Sequence, residues 1–327
     1  MQSVYLFVDE EPYLYHGENV DMENLEYIES INYNYFEKTS RIIYKEFKRK
    51  KDKDFAISIR LLHSHCLEHF FSILFASMQG YDAINVWLLL YTPKDLRELI
   101  RKTQSEIPFF RKFPDVKPNW ESILNKIHFG LDFFNSFSKE VILKTVIELA
   151  DRFNSETYFL EYNSIKHSLR NKFGSFQIEI APLENKVKIN GGDYGSTFRK
   201  IERLSKNNKH HLSTSKIFSQ WNPDRLFSEI QILSLLISNI KSFLIAINCK
   251  EHHKIEFKLP KTEFLKDYQN LPEPELISGE LERWSISPNY KLIDKNELLK
   301  IIQENFLDYL NKNTMFNNFL SFEYRTF

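Results

Sequence analysis

Apolar and aromatic residues recur at Leu25, Ile28, Ile31, Tyr35, Ile42 and Phe47, which predicts one helix over residues 23–51. It closes on the basic run KRKKDK, suited to the negative end of a helix dipole. A second helix is expected from Phe55 to Gln79, capped by Asp54 and stopped at Gly80. The run AINVWLLLY, residues 83–91, fits a buried strand and a helix equally well. Thr92 and Pro93 open a clearer helix in TPKDLRELIRKTQSE. Pro108, Pro114 and Pro118 mark a loop, Asn119 starts a short helix, and residues 138–153 and 155–173 read as two more.

After Gly174 the apolar period changes from helical to alternating. SFQIEI and KVKI carry it, NGG at residues 190–192 is a hairpin turn signal, and YGSTFRKI supplies a third strand. The polar stretch SKNNKHHLSTS reads as a loop leading to a long helix from Asp224 to Asn248. HKIEFKLP suggests a further strand, residues 270–288 an extended connector, and KNELLKIIQENFLDYLNKN a closing helix. The expected fold is therefore mainly α, a multi-helix bundle with a small antiparallel β-meander at about residues 175–203 packed on it. Residues 1–250 would form the helical core, and residues 251–327 a C-terminal part packed on the same domain.

Composition narrows the class. With 42% hydrophobic and 15% aromatic residues, the chain can bury a large core. Eight glycines argue against glycine-rich phosphate loops, propellers and barrels. Acidic and basic residues balance at 44 each, so any attraction to nucleic acid must come from a local patch. Cys66 and Cys249 sit in apolar helical runs without a CxxC, and the acidic N-terminus does not resemble a signal peptide. These features lead us to expect a cytoplasmic protein. The run at residues 230–247 holds Gln231, Asn239 and Lys241, which favours a core helix over a membrane span.

The chemistry concentrates in RLLHSHCLEHFFSILF, residues 60–75. At about 100° per residue, His65, Glu68 and His69 share one stripe with Ser72 and Gln79, while His63 points elsewhere. Polar groups on an otherwise apolar helix need partners. A second stripe follows in EYNSIKHSLRN, where Asn163, Lys166, His167 and Arg170 lie at i, i+3, i+4 and i+7. Three cations and an amide on one face suit an anion such as phosphate, or Glu68 of the first stripe.

Two resemblances follow from these motifs. HCLEH, residues 65–69, resembles the H-x-x-E-H helix of pitrilysin-type peptidases, which implies zinc held by His65 and His69, with Glu68 as base and Glu148 as the third ligand. Arg60 and His65 form an R-x-x-x-x-H pair that resembles the active-site motif of HEPN-type helical ribonucleases of bacterial defence and toxin systems. EYNSIKHSLR is similar to a signature of uncharacterised bacterial helical proteins related to that group. These likenesses imply metal-independent RNA or nucleotide-phosphate chemistry, with His65 or His167 moving the proton and Arg60, Lys166 and Arg170 holding phosphate.

Three expectations stand together. The first is a HEPN-like ribonuclease without a cofactor, acting on RNA or another phosphate-containing ligand at Arg60, His65, Glu68, His69 and His167. The second is a noncatalytic helical sensor or partner-binding protein, in which Glu68 pairs with Lys166 or Arg170 and the polar residues hold helix register. The third is a zinc hydrolase. None requires a membrane, and each is compatible with a homodimer or a protein partner.

Overall fold

The structure is a computed structural model that describes residues 2–7, 12–17, 19–110, 112–113, 115–129, 134–166, 171–174, 177–180, 187–190, 193–206, 209–248, 255–272 and 280–285. The expected closing helix, Cys249, His167, Arg170 and the two glycines of the NGG turn lie outside these residues.

The chain divides into two compact units, residues 1–199 with 216–281, and residues 200–215 with 282–327. The first is mainly helical. It opens with an antiparallel hairpin, β1 (Gln2–Phe7) and β2 (Pro12–Gly17), paired from Gln2 with Gly17 to Phe7 with Pro12. The single helix expected at residues 23–51 is two, α1 (Val20–Ser30) and α2 (Asn34–Lys50). A lysine from the long helix over residues 223–248 bridges the break. Lys241 Nζ donates to the carbonyl oxygens of Glu29 and Ile31 at 2.5 and 3.0 Å, satisfying acceptors that a continuous helix would use internally.

The central element is α3 (Lys53–Gly80), whose cap is Asp52, accepting from the Asp54 backbone, and not Asp54 itself. The glycine expected to stop the helix, Gly80, is its last helical residue, and a Cβ there would collide with the indole of Trp87. Trp87 belongs to α4 (Ile84–Leu90), which resolves the strand-or-helix ambiguity. α5 (Pro93–Gln104) starts as its sequence predicts, with Thr92 and Asp95 forming a reciprocal capping box. α6 (Trp120–Leu124), capped by Asn119, runs into a π-helical turn at Asn125–Phe129. α7 (Ser136–Asn154) and α8 (Glu156–Lys166) follow.

The β region departs from a simple meander. β3 (Lys172–Phe173) pairs with β6 (Gly195–Lys206), while β4 (Gln177–Ile180) and β5 (Val187–Asn190) form a separate two-stranded sheet. YGSTFRKI therefore leaves the neighbouring strands and pairs with β7 (Lys209–Gln220), which contains most of the stretch expected as a polar loop. A strand can pair its backbone without apolar alternation, so this stretch carries no period-2 signal in its sequence. The strand order is β3-β6-β7-β8, with β8 (Glu280–Ser285) inside the expected connector. The β6–β7 ends and most of β8 are the described part of the second unit.

α9 (Pro223–Asn248) packs along α3 and also meets α1 and α2. It is long and apolar enough to span a membrane, yet 67% of its most apolar window is buried against protein. Fully buried Phe70, Phe71, Phe75, Leu67 and Ile73 of α3 pack in one core with Leu233, Ile237 and Ile240 of α9. Each such side chain contributes about 1.5–3 kcal/mol by leaving water. Residues 255–260, expected as a strand, form no regular element, and α10 (Thr262–Gln269) follows them.

Candidate functional site

Two consecutive turns of α3 meet two different environments. The first, Arg60–Ser64, points into the core between α7, α8 and α9. Arg60 is 4% exposed and its Nη2 lies 2.6 Å from Glu161 Oε2 of α8, itself 1% exposed. Arg60 Nη1 donates to Ser64 Oγ at 3.1 Å, and the guanidinium lies over the Tyr158 ring, 4.6 Å from its centroid. Burial works against the Arg60 charge, but neighbouring Glu161 outweighs it and raises the guanidinium pKa. Glu161 is fully engaged: its second oxygen accepts from Ser196 Oγ at 2.5 Å and from Trp221 Nε1 at 2.7 Å. One carboxylate thus joins α3, α8 and the start and end of the β6–β7 hairpin.

A second ionic cluster adjoins the first. His63, fully buried, is 3.5 Å from Arg60 through Nδ1 and 2.7 Å from Glu229 Oε2 of α9 through Nε2, the latter outside good hydrogen-bond alignment. Glu229 also receives Arg152 at 2.8 Å and Arg225 at 3.2 Å, and Arg225 reaches on to Glu148 at 3.0 Å. Burial would raise the Glu229 carboxyl, but the Arg152 guanidinium beside it holds it far below the ordinary range. Burial likewise keeps the His63 imidazole neutral, overriding Glu229. The charges balance, because Arg60, Arg152 and Arg225 face Glu161, Glu229 and Glu148. The cavity among Arg60, Arg152, Tyr158, Glu161 and Trp221 measures about 20 Å³, close to the smallest space one water needs.

The next turn of α3 comes to the surface. His65 is exposed, Glu68 and His69 are half-buried. Glu68 Oε2 accepts from Tyr162 Oη of α8 at 2.8 Å, and His65 meets the same tyrosine edge-on at 5.7 Å between centroids. Lys166 Nζ stands 5.4 Å from the centre of the Tyr162 ring. Tyr162 is therefore the hinge at which the two polar stripes meet, and Asn163 beside it is half-buried. Burial lowers the His65 pKa, Glu68 opposes that shift, and Lys166 adds to it. His69 has turned toward Phe36 of α2, 5.6 Å between ring centroids, and burial lowers its pKa too.

The predicted site residues are thus divided. His65, Glu68 and Lys166 gather around Tyr162, whereas Arg60 is on the far side of a buried ion pair and His69 is drawn toward α2. Glu148, the expected third zinc ligand, is taken by Arg225, with Lys144 3.6 Å away. Among the described residues no three His, Cys, Asp or Glu side chains converge as a metal site. Sequence reading passed over Glu161, Glu229, Arg152, Arg225 and Trp221. Glu229 carried one signal, an acid leading into the most apolar run of the chain. The chain matches no family model, no curated protein and no solved structure.

Proposed function

We propose that this chain is a noncatalytic helical binding protein whose buried ion network sets the register of α3, α8 and α9. The observation behind this reading is the state of Arg60. A phosphate reaching it would have to displace Glu161 from a 2.6 Å ion pair in a space of about 20 Å³. Separating such a pair leaves a buried charge uncompensated, at a cost of about 3–5 kcal/mol. The motif arginine therefore serves the fold, and binding falls to surfaces elsewhere on the helical unit.

A second reading, metal-independent phosphate or RNA chemistry, keeps one specific support. Exposed His65 shares Tyr162 with Glu68 and Lys166, and burial, reinforced by Lys166, lowers its pKa. In this reading His65 is the base, and Lys166 steadies the phosphate in place of Arg60. One experiment separates the two. Purified protein is incubated with transfer RNA and total RNA beside His65→Ala. The binding-protein reading expects identical, uncleaved RNA in both; cleavage that disappears in His65→Ala would sink it.

A further inference from the structure

We propose that the groove between α2, α7, α9 and α10 binds an amphipathic anion, a medium-length apolar chain carrying one carboxylate or phosphate head. This rests on the binding-protein reading and names the ligand class. The groove holds about 560 Å³, within the range of about 300–1,000 Å³ typical of small-molecule sites. Its floor is apolar, formed by Phe227, Ile232 and Leu235 of α9 with Phe264 of α10.

The rim has the opposite character. Arg41, Lys258 and Lys261 line the groove against one acid, Glu37, so the lining carries two excess positive charges. Glu37 is already paired with Arg41 at 3.0 Å. Lys261 is exposed and is also the N-cap of α10, where its side chain caps nothing. The first-turn N–H groups of that helix and the positive end of its dipole therefore add to the lysines. Glu263 shares that turn but does not line the groove. Lys258 holds its ammonium 4.2 Å from the Tyr33 ring centroid, one turn before Glu37 on α2. An apolar floor with a cationic rim matches a tail with an anionic head. A neutral lipid would leave the rim unmatched, and a hydrophilic anion the floor.

The wall of the groove is built in advance. Buried Asn239 grips one residue of the irregular segment through both backbone groups: Nδ2 donates to the Lys258 carbonyl at 3.0 Å, and the Lys258 N–H donates to Oδ1 at 2.7 Å. Ser242 Oγ donates to the Glu256 carbonyl at 2.6 Å. These bonds give two polar residues of an apolar helix a purpose, holding residues 256–258 across α9 so that Leu259, Pro260 and Lys261 edge the groove. A site fixed before binding loses less entropy on binding.

The test is calorimetric titration of the full chain with decanoate and decyl phosphate, and with decanol as the neutral control. Decanoate and decyl phosphate should bind saturably at one per chain, and decanol about tenfold or more weaker, as expected for losing a charged hydrogen-bond partner. Lys258→Gln/Lys261→Gln, both at accessible positions, should remove most of that preference. Leu235→Trp, which fills the floor, should abolish binding. If Leu235→Trp unfolds, the charge variant still decides. Equal binding of decanol, no binding of either anion, or undiminished anion binding in the lysine variant would each overturn the assignment. Loss of anion binding with intact RNA removes this ligand alone; His65-dependent RNA cleavage removes the broader reading whatever the groove binds.

Discussion

The turn of α3 that holds Arg60, His63 and Ser64 and the turn that holds His65, Glu68 and His69 are neighbours in sequence, yet their ionisable groups are in opposite circumstances. In the first, every charge has a buried partner from another element and no ligand-sized space remains. In the second, the groups lean on a tyrosine at the surface and His65 keeps an exposed ring. A cluster of histidine, arginine and glutamate on a helix is thus not one site by virtue of its spacing. What surrounds each turn decides whether its polar groups serve the core or face a solute.

The sharpest way to break the comparison is to remove one partner on each side. Glu161→Ala leaves the Arg60 charge buried and unpaired, and should cost about 3–5 kcal/mol, seen as a large fall in the urea midpoint. Arg60→Met combined with Glu161→Gln should recover much of it, because the pair and its desolvation penalty leave together. If Glu161→Ala were as stable as the parent, the buried turn would not be structural.

Acid should act on the buried histidines of the helical unit as well. His63 and His128 have pKa values lowered by burial, His128 to about 3, so the unfolded chain takes up these protons first as pH falls below 6.5. Stability is therefore full above 6.5 and falls toward acid, by about 1.4 kcal/mol per pH unit for each histidine held neutral. Glu229, depressed in the fold, has the same sign: its contribution is complete above about 4.5 and is lost as pH drops through its lower folded value. A flat denaturation midpoint between pH 7 and 5 would contradict this.

At the surface turn the effects should shrink. Tyr162→Phe removes the hydrogen bond to Glu68 and should cost about 1 kcal/mol, measurable by chemical denaturation. His65→Ala, at an exposed position, should stay within about 0.5 kcal/mol of the parent. A penalty there comparable to that of Glu161→Ala would erase the distinction between the two turns.

How much of this was legible depended on how local each cause is. The start of α5 could be read because Thr92, Pro93 and Asp95 satisfy one another within four residues. The start of α4 could not: its Ile84 N–H donates to Asn24 Oδ1 at 2.8 Å, sixty residues away. The alternation in SFQIEI and KVKI correctly marked two paired strands, but the partner of YGSTFRKI depended on a long polar strand that has no apolar alternation. For the candidate site, the two stripes were visible as stripes. That Tyr162 joins them while Glu161, the preceding residue, seals Arg60 follows from adjacent residues on α8 pointing in different directions.

The sequence by itself determined that the chain is mainly helical, that α3 and α9 are its apolar centre, and that α3 carries ionisable groups in need of partners. Those conclusions follow from periodicity and from the cost of burying charge, both of which can be read along one strand of residues. Only the tertiary structure decided which partners those groups found, because an ion pair between residues 60 and 161 depends on how two helices cross. It also decided where room for a solute remains, since a groove belongs to the space between elements and to none of them alone.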